Sequence, residues 1–164
     1  MDAFQDFYPD EFAQCYGCGR MNHQGRHLRS FWDGEETVAH YTPMPYEIAL
    51  PGFVNGGVLA SLIDCHATGT AAAVAYRSEG RKMGTLPAHR FVTGSLHVDF
   101  LSPTPLGPPL EIRGRLESIE GRHIVVDATI SVEGRVTVRG RVLSVEIPAS
   151  MDPRHHHPEP ARKA

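Results

Sequence analysis

The sequence carries little net charge and few cysteines, and both shortages exclude whole classes of protein. Over its 164 residues the formal net charge is only −3, so no basic excess marks a surface for the phosphate backbone of nucleic acid. Its three cysteines are an odd number, and its first residues lack the basic-then-apolar pattern of a secretion signal. We therefore expect a reduced, cytoplasmic chain with no nucleic-acid partner.

A long uninterrupted apolar run is also missing. The most apolar segment, residues 55–76, is interrupted by Asp64 and His66 and is rich in alanine and glycine, which indicates a core helix rather than a membrane span. The length fits one domain and excludes a large multi-domain enzyme, and a composition of 41% apolar and 21% charged residues is typical of a globular chain. We expect no membrane partner.

Proline is absent from two long tracts, residues 52–86 and 110–147, where regular structure can therefore be continuous. In the first tract, apolar and small residues recur at helical spacing and predict one helix of about 20 residues over positions 55–76. The recurring residues are Val58, Leu62, Cys65, Gly69, Ala72 and Tyr76. Because this helix is apolar nearly all round, we expect it to be covered on more than one side.

Alternating and β-branched residues on both sides of this helix predict strands. Residues 28–42 predict a hairpin around the turn Asp33-Gly34, and a polar loop over residues 77–90 follows the helix. Four more strands are predicted, the last three as an antiparallel meander, at residues 91–102, 110–120, 122–133 and 135–147. This order predicts an α+β fold in which an antiparallel sheet of about six strands wraps one long central helix, with a second copy of the sheet covering its other side.

Asp64 is the only residue of the predicted helix that is expected to be ionised. It is flanked at helical spacing by small residues, among them Ala60 and Thr68, so a ligand has room beside its carboxylate. Burial there would perturb the pKa of the carboxyl group in the way that suits a general base. A hydrated aspartate on the helix surface fits the sequence equally well.

The predicted helix begins at Asn55-Gly56-Gly57. Two glycines at a helix start leave backbone N–H groups unshielded where the helix dipole is positive, so a developing oxyanion can be held there. The alternative is that Asn55 is simply an N-cap and that the glycines form a tight entry turn. The sequence leaves both readings open.

The spacing of these two features limits how they can act together. Gly56 and Asp64 are eight residues apart, which on one helix is about 12 Å along the axis at ~1.5 Å per residue. One carbonyl carbon cannot be within reach of both in a single chain. If both act on one substrate bond, they come from two helices that lie antiparallel across a twofold axis, which predicts a dimer with two equivalent sites.

Three stretches of the chain carry a recognisable pattern. They are PGFVNGGVLASLIDCHA, then VTGSLHVDFLSPTPLG with a strand meander after it, and the earlier segment CYGCGRMNHQGRHLR. Together they resemble the hotdog-fold thioesterases, in particular the PaaI-type acyl-CoA thioesterase branch, over about residues 15–147. The resemblance implies a cysteine-containing lead-in over residues 1–27 and a hotdog domain over residues 28–147, followed by a tail.

The same resemblance implies an activity and a set of site residues. It implies hydrolysis of a small, medium-chain or aryl acyl-CoA, without a cofactor, in a homodimer or homotetramer whose sites lie at the dimer interface. The backbone N–H of Gly56 would polarise the thioester carbonyl, Asp64 would be the catalytic acid as base or nucleophile, and Thr93 would orient the attacking water. Substrate-binding residues would be Gly57, Ala60 and Thr68.

Two positions depart from the family pattern. Asn55 lies where many relatives have histidine, and it is kept as a site residue because its amide can still donate a hydrogen bond. Ala49 lies in the preceding loop where some relatives carry an asparagine or glutamine, so that loop amide is lost.

Two other activities remain as alternatives. One is a non-catalytic module on the same fold that binds or senses acyl-CoA. The other is a hotdog enoyl-CoA hydratase or dehydratase, which needs a histidine paired with the carboxylate. His66 does not meet that need, because it points about 200° away from Asp64 around the helix and is expected in the core or an interface.

Several further residues are not assigned to the site. Cys15, Cys18, His23 and His27 form the pattern C-x2-C-x4-H-x3-H, which has knuckle-like spacing for zinc, but a packing role is favoured and no metal is assigned. A solvated surface explains the basic residues after the helix better than a site for coenzyme A phosphates; they are Arg77, Arg81, Lys82, His89 and Arg90. The tail, residues 148–164, with four prolines and a histidine run at residues 155–157, is expected to be disordered.

Overall fold

One helix lies against one face of a six-stranded antiparallel sheet in the computed structural model, which describes residues 2–148 and Met151. The helix is α1 (Gly56–Ser78). The strands are β1 (Ser30–Asp33), β2 (Glu36–Tyr41), β3 (Phe91–Phe100), β4 (Leu110–Glu120), β5 (His123–Val132) and β6 (Arg135–Glu146). Two short 3-10 turns, Phe4–Phe7 and Asp10–Phe12, precede them. The predicted α+β hotdog fold is confirmed.

The predicted elements lie close to the observed ones because most of them have strong local patterns. β4 has the predicted bounds, and α1 begins one residue later and ends two residues later than predicted. The hairpin of β1 and β2 is also confirmed, and its turn residue Gly34 has φ 63°, a left-handed conformation that glycine adopts without strain.

By its length and composition alone, the helix could span a membrane. However, 78% of its most apolar 18-residue segment is buried inside the protein. That burial supports the predicted core helix. The less buried part is one stripe of residues at helical spacing, which runs along one side of the first half of α1. The stripe comprises Gly57, Ala60, Ser61, Asp64 and Thr68.

The strand order in the sheet is β1-β2-β4-β5-β6-β3, so β3 lies at an edge. It pairs with β6 rather than with β4, the next strand along the chain, and the sequence did not predict this position. Within the part of the chain that the structure describes, the other side of β3 has no partner strand. Leu96 and Phe100 of this ten-residue strand are 40% and 53% exposed, so an apolar edge remains uncovered in one chain.

The lead-in is packed against the rest of the molecule. Several of its side chains are buried in the core or at its margin; they are Ala3, Phe4, Tyr8, Ala13 and Cys18. The expectation of a disordered tail falls outside the described residues, apart from Pro148 and Met151.

The close approach of α1 to the sheet depends on glycine in β6. A Cβ atom added at Gly140 would overlap the side chain of Ile63, which is fully buried on α1. A side chain at this position therefore has to push the helix and sheet apart.

We predict that Gly140→Ala lowers the free energy of unfolding by about 1–3 kcal/mol, the usual cost of overpacking a core. Arg139→Ala is the matched control, because Arg139 is the preceding residue of the same strand and is exposed. Urea denaturation of both variants measures the difference. Equal stability of the two variants would show that Ile63 and β6 are not packed as described.

Candidate active site

Asp64 and Thr93 are brought together although they are 29 residues apart. Asp64 is half-buried on α1, and Thr93 lies near the start of the edge strand β3, where a bulge interrupts the register between Thr93 and Ser95. The hydroxyl of Thr93 donates a hydrogen bond to Oδ1 of Asp64. The strand hydroxyl therefore lies beside the helix carboxylate and bonds to it directly. The orientation of an attacking water by Thr93, which the resemblance implied, stays a prediction.

The surroundings of Asp64 raise the pKa of its carboxyl group. Burial is the largest cause, because it disfavours the charged form. The hydrogen bond from Thr93 acts in the opposite direction, and the electrostatic interaction with Cys15 raises the pKa further.

The start of α1 offers a single free backbone donor. Oδ1 of Asn55 accepts hydrogen bonds from the N–H groups of Gly57, at 2.8 Å, and Val58, at 3.3 Å. Among the described residues, the N–H of Gly56 has no acceptor, and it lies at the positive end of a 23-residue helix. The oxygen of Asn55 is thus engaged as an N-cap, and only its exposed amide nitrogen is left to donate to a ligand.

The residues predicted for the site fall into two groups at different heights along α1. Asn55, Gly56 and Gly57 lie at its start, where a Cβ atom at Gly56 would be 3.4 Å from the ring of Phe100 at the end of β3. Asp64 lies about 12 Å further along the axis. One chain therefore does not bring Gly56 and Asp64 together. We call these two groups, at the start of α1 and around Asp64, the half-sites.

Ala60 and Thr68 lie on the same half-buried stripe of α1 as Asp64. Ala60 is between the two half-sites, and its side chain is only a methyl group. Thr68 is one turn beyond Asp64, and its hydroxyl donates to the backbone carbonyl of Asp64 at 3.0 Å, so the hydroxyl is held against the helix.

Glu47 is a supporting residue that sequence reasoning missed. Its carboxylate, only 5% exposed, accepts hydrogen bonds from Arg26 at 2.7 Å and from the hydroxyl of Tyr41 at 2.8 Å. Its backbone carbonyl accepts the N–H of Asn55 at 2.9 Å and so fixes the loop that leads into α1. An acidic residue in a proline-rich loop gives no periodic pattern, and its partner Arg26 is distant in sequence. In the same loop Ala49 is exposed and has no side-chain donor.

His66 is fully buried and faces away from the candidate site, as predicted. Its Nδ1 lies 2.9 Å from the hydroxyl of Ser30, and its Nε2 lies 3.0 Å from the hydroxyl of Thr37. Burial lowers the pKa of His66 to about 4, so the ring is neutral near neutral pH. This histidine is therefore not paired with Asp64, as a hydratase would require.

The cysteines of the lead-in meet a third cysteine instead of the histidines that follow them. The Sγ atoms of Cys15, Cys18 and Cys65 lie within 4.8 Å of one another. His27 instead has its Nε2 2.6 Å from the carbonyl oxygen of Asn22. The pattern of two cysteines and two histidines suggested by the sequence is therefore not assembled.

The three thiols differ in how readily they ionise. Hydrogen bonds from the side chains of Cys18 and Cys65 lower the pKa of the Cys15 thiol. The reciprocal hydrogen bond with Cys15 raises the pKa of Cys18 to about 12 and also raises that of Cys65.

The basic residues predicted to follow the helix mostly contact protein groups, and the first of them, Arg77, lies in the last turn of α1. Arg77 stacks on the ring of Trp32, and Arg81 bonds to Glu79 at 2.7 Å. His89 lies 2.6 Å from Glu146, Arg90 lies over the ring of Tyr8, and Lys82 is exposed. These contacts involve neither Asp64 nor the start of α1, and the exclusion of these residues from the site stays a prediction.

We predict that Glu47→Ala lowers the free energy of unfolding by about 3–5 kcal/mol, because it leaves the charge of Arg26 buried without its partner. Chemical denaturation measures the loss, and the double variant with Arg26→Met and Glu47→Leu should recover most of it. Arg141→Ala is the control, since its ion pair with Glu117 is exposed and should not change stability measurably. A Glu47→Ala protein as stable as this control would contradict the prediction.

Comparison with known proteins places the candidate site in a family. Residues 51–139 match the model of the thioesterase superfamily, and this segment contains Asn55, Gly56, Asp64 and Thr93. The crystal structure of a thioesterase superfamily protein from Shewanella loihica PV-4 is similar to this chain, with a TM-score of 0.66. The two sequences are 40% identical, and the match covers 86% of this chain and 100% of the Shewanella chain.

Two further relatives are more distant. The PaaI protein of the E. coli phenylacetic acid degradation operon has a TM-score of 0.60 over 75% of this chain and 81% of that one, but at 18% identity this likeness shows the fold alone. Acyl-coenzyme A thioesterase THEM4 of Xenopus laevis is 33% identical over 93 residues, which are 57% of this chain and 36% of that protein. The chain thus spans little more than a third of that relative's length. The family match and the Shewanella structure together show that this chain belongs to the thioesterase superfamily.

Proposed function

We propose that the protein is an acyl-CoA thioesterase that hydrolyses the thioester of a small, medium-chain or aryl acyl-CoA at sites shared between two chains. The observation that carries the proposal is the pair of half-sites on α1, the carboxylate of Asp64 with its Thr93 partner and the free N–H of Gly56. Membership of the thioesterase superfamily supports the reaction class. The name of the THEM4 relative supports coenzyme A as the thiol.

In the proposed reaction Asp64 takes a proton from water, and the water oxygen attacks the carbonyl carbon of the thioester. The negative charge that develops on the carbonyl oxygen is stabilised by the N–H of Gly56 at the helix start of the second chain, with the amide of Asn55 there as a second donor. The carbon–sulfur bond then breaks, and the coenzyme A thiolate leaves and is protonated. Attack by the carboxylate itself, followed by hydrolysis of the anhydride, uses the same residues.

The hydrogen bond from Thr93 determines which carboxylate oxygen is free to act. Because Thr93 donates to Oδ1 of Asp64, Oδ2 is left to accept a proton from the attacking water. The hydroxyl also fixes the rotation of the carboxylate on the helix. We therefore assign Thr93 a positioning role in this mechanism.

The dimer is proposed from the spacing on α1 and from the uncovered edge of the sheet. Pairing of β3 with the same strand of a second chain would cover Leu96 and Phe100, which are exposed in one chain. A twofold axis at this edge would set the two helices antiparallel and place Gly56 across from the partner subunit's Asp64. Two such dimers can form a tetramer through the remaining sheet faces.

The acyl group would lie between the half-sites, where Ala60 leaves space and Leu96 and Phe100 provide apolar contacts. The reaction as written consumes only water and needs no cofactor. The free state of Cys15, Cys18 and Cys65 supports the proposal of a reducing, cytoplasmic location.

We predict that Asp64→Asn lowers kcat for acyl-CoA hydrolysis by about 10²- to 10⁴-fold, the usual contribution of a general base, while acyl-CoA still binds. Release of free thiol from a panel of short, medium, long and aryl acyl-CoA thioesters measures turnover, and calorimetry with a non-hydrolysable thioether analogue measures binding. Asp33→Asn is the matched control, because Asp33 is an exposed aspartate on β1, at the opposite edge of the sheet from β3.

The outcomes distinguish the three activities. Thiol release by the wild type that is lost in Asp64→Asn supports the thioesterase. Binding without thiol release across the whole panel would favour a binding or sensor module. Hydration of enoyl-CoA, followed in parallel, would favour a hydratase, and unchanged turnover in Asp64→Asn would refute the role given to Asp64.

A further inference from the structure

Three sulfur atoms converge at the junction of the lead-in and α1. Cys15 and Cys18 come from a tight turn in the lead-in, and Cys65 comes from the helix residue after Asp64. The Sγ atoms of Cys15 and Cys65 are 3.7 Å apart, and all three sulfurs lie within 4.8 Å of one another. Cys18 and Cys65 are buried, whereas Cys15 is half-buried.

The separation between Cys15 and Cys65 matches that of two thiolates around one metal ion, and the limit of 4.8 Å keeps Cys18 near the same point. Zinc bonds to cysteine sulfur at about 2.3 Å in a tetrahedral arrangement, which puts neighbouring sulfurs about 3.8 Å apart. A disulfide would need two of the sulfurs to be only about 2.05 Å apart. The sulfur atoms are therefore already close to the positions that ligands of one metal ion would take, and a disulfide would require a larger movement.

The turn that carries Cys15 and Cys18 is built for this close approach. A Cβ atom at Gly17 would overlap Sγ of Cys65, so only glycine lets the turn lie against the helix sulfur. The N–H of Gly19 donates to the carbonyl of Cys15 at 2.8 Å and closes the turn. The N–H groups of Gly17 and Cys18 face Sγ of Cys15, where they would support a thiolate.

The charges around the cluster also fit a bound cation. Three thiolates and one divalent ion carry a net negative charge, and Arg90 acts electrostatically on Cys18 from the side of the lead-in. Asp64 is the acidic neighbour, close enough to Cys15 to interact with its charge. Because Cys15 reaches the surface, a fourth coordination position is open to water or to another ligand.

We propose that Cys15, Cys18 and Cys65 bind one thiophilic metal ion of the Zn²⁺ class and thereby fasten the lead-in to α1 beside the candidate active site. Soft thiolate ligands select such ions over Mg²⁺ or Ca²⁺. The proposal is independent of the hydrolytic function, because it rests on the sulfur geometry and not on the reaction of Asp64.

Cobalt and zinc binding to the full-length chain test the proposal. The protein is reduced, freed of metal with a chelator and titrated with Co²⁺, whose thiolate complexes show a charge-transfer absorption in the near ultraviolet. The titrated protein carries alanine in place of His155, His156 and His157, because this histidine run could itself bind Co²⁺. We expect one Co²⁺ per chain, displaced by Zn²⁺, and Zn²⁺ should protect all three thiols from a thiol reagent.

Single substitutions assign the ligands. Cys15→Ser, Cys18→Ser and Cys65→Ser should each abolish the charge-transfer absorption of the three-thiolate complex, while His23→Ala and His27→Ala should retain it. Cys15→Ser is the decisive variant if the two buried positions do not tolerate serine, and circular dichroism checks that it folds. The thiol-protection measurement needs no cysteine variant.

Three results would overturn the proposal. One is the absence of charge-transfer absorption at saturating Co²⁺, and another is thiols that stay reactive in Zn²⁺. The third is metal binding that disappears when the histidine run alone is replaced.

Discussion

The rise of the α-helix is the constraint on which the proposed site depends. At ~1.5 Å per residue, Gly56 and Asp64 stay about 12 Å apart along the axis of α1, whatever the rest of the fold does. The sheet preserves this separation, because β3 runs beside the helix with Thr93 near one half-site and Phe100 near the other. One chain thus holds both the proposed oxyanion donor and the carboxylate proposed to activate water, but the two groups are too distant to act on one bond.

Contacts distant in sequence hold these half-sites in place. Glu47 ties the loop before Asn55 to Arg26, and the cysteine cluster ties the lead-in to the helix residue next to Asp64. His66 anchors the opposite side of α1 to Ser30 and Thr37 through neutral hydrogen bonds. These contacts hold the other sides of α1, while the stripe that carries Asp64 stays half-buried.

Local patterns explain how much the sequence predicted. The helix, the hairpin and the meander have clear periodicity, and the glycines and Asp64 of α1 stand out as unusual on an apolar helix. The edge position of β3, the pair of Glu47 with Arg26 and the approach of Cys65 to Cys15 were not predicted. Each joins segments 21 or more residues apart, and no local pattern records which distant segments meet.

Complementation between two inactive variants tests the shared site most directly. Gly56→Pro removes the N–H donor at a helix position where proline is favoured, and Asn55, with ψ 132°, already has the extended backbone that precedes proline. Chains with Gly56→Pro and chains with Asp64→Asn, each inactive alone, are co-expressed in equal amounts. A site shared across the twofold axis leaves one intact site in each mixed dimer and predicts about a quarter of wild-type activity. No recovery in dimers shown to be mixed would contradict the shared site.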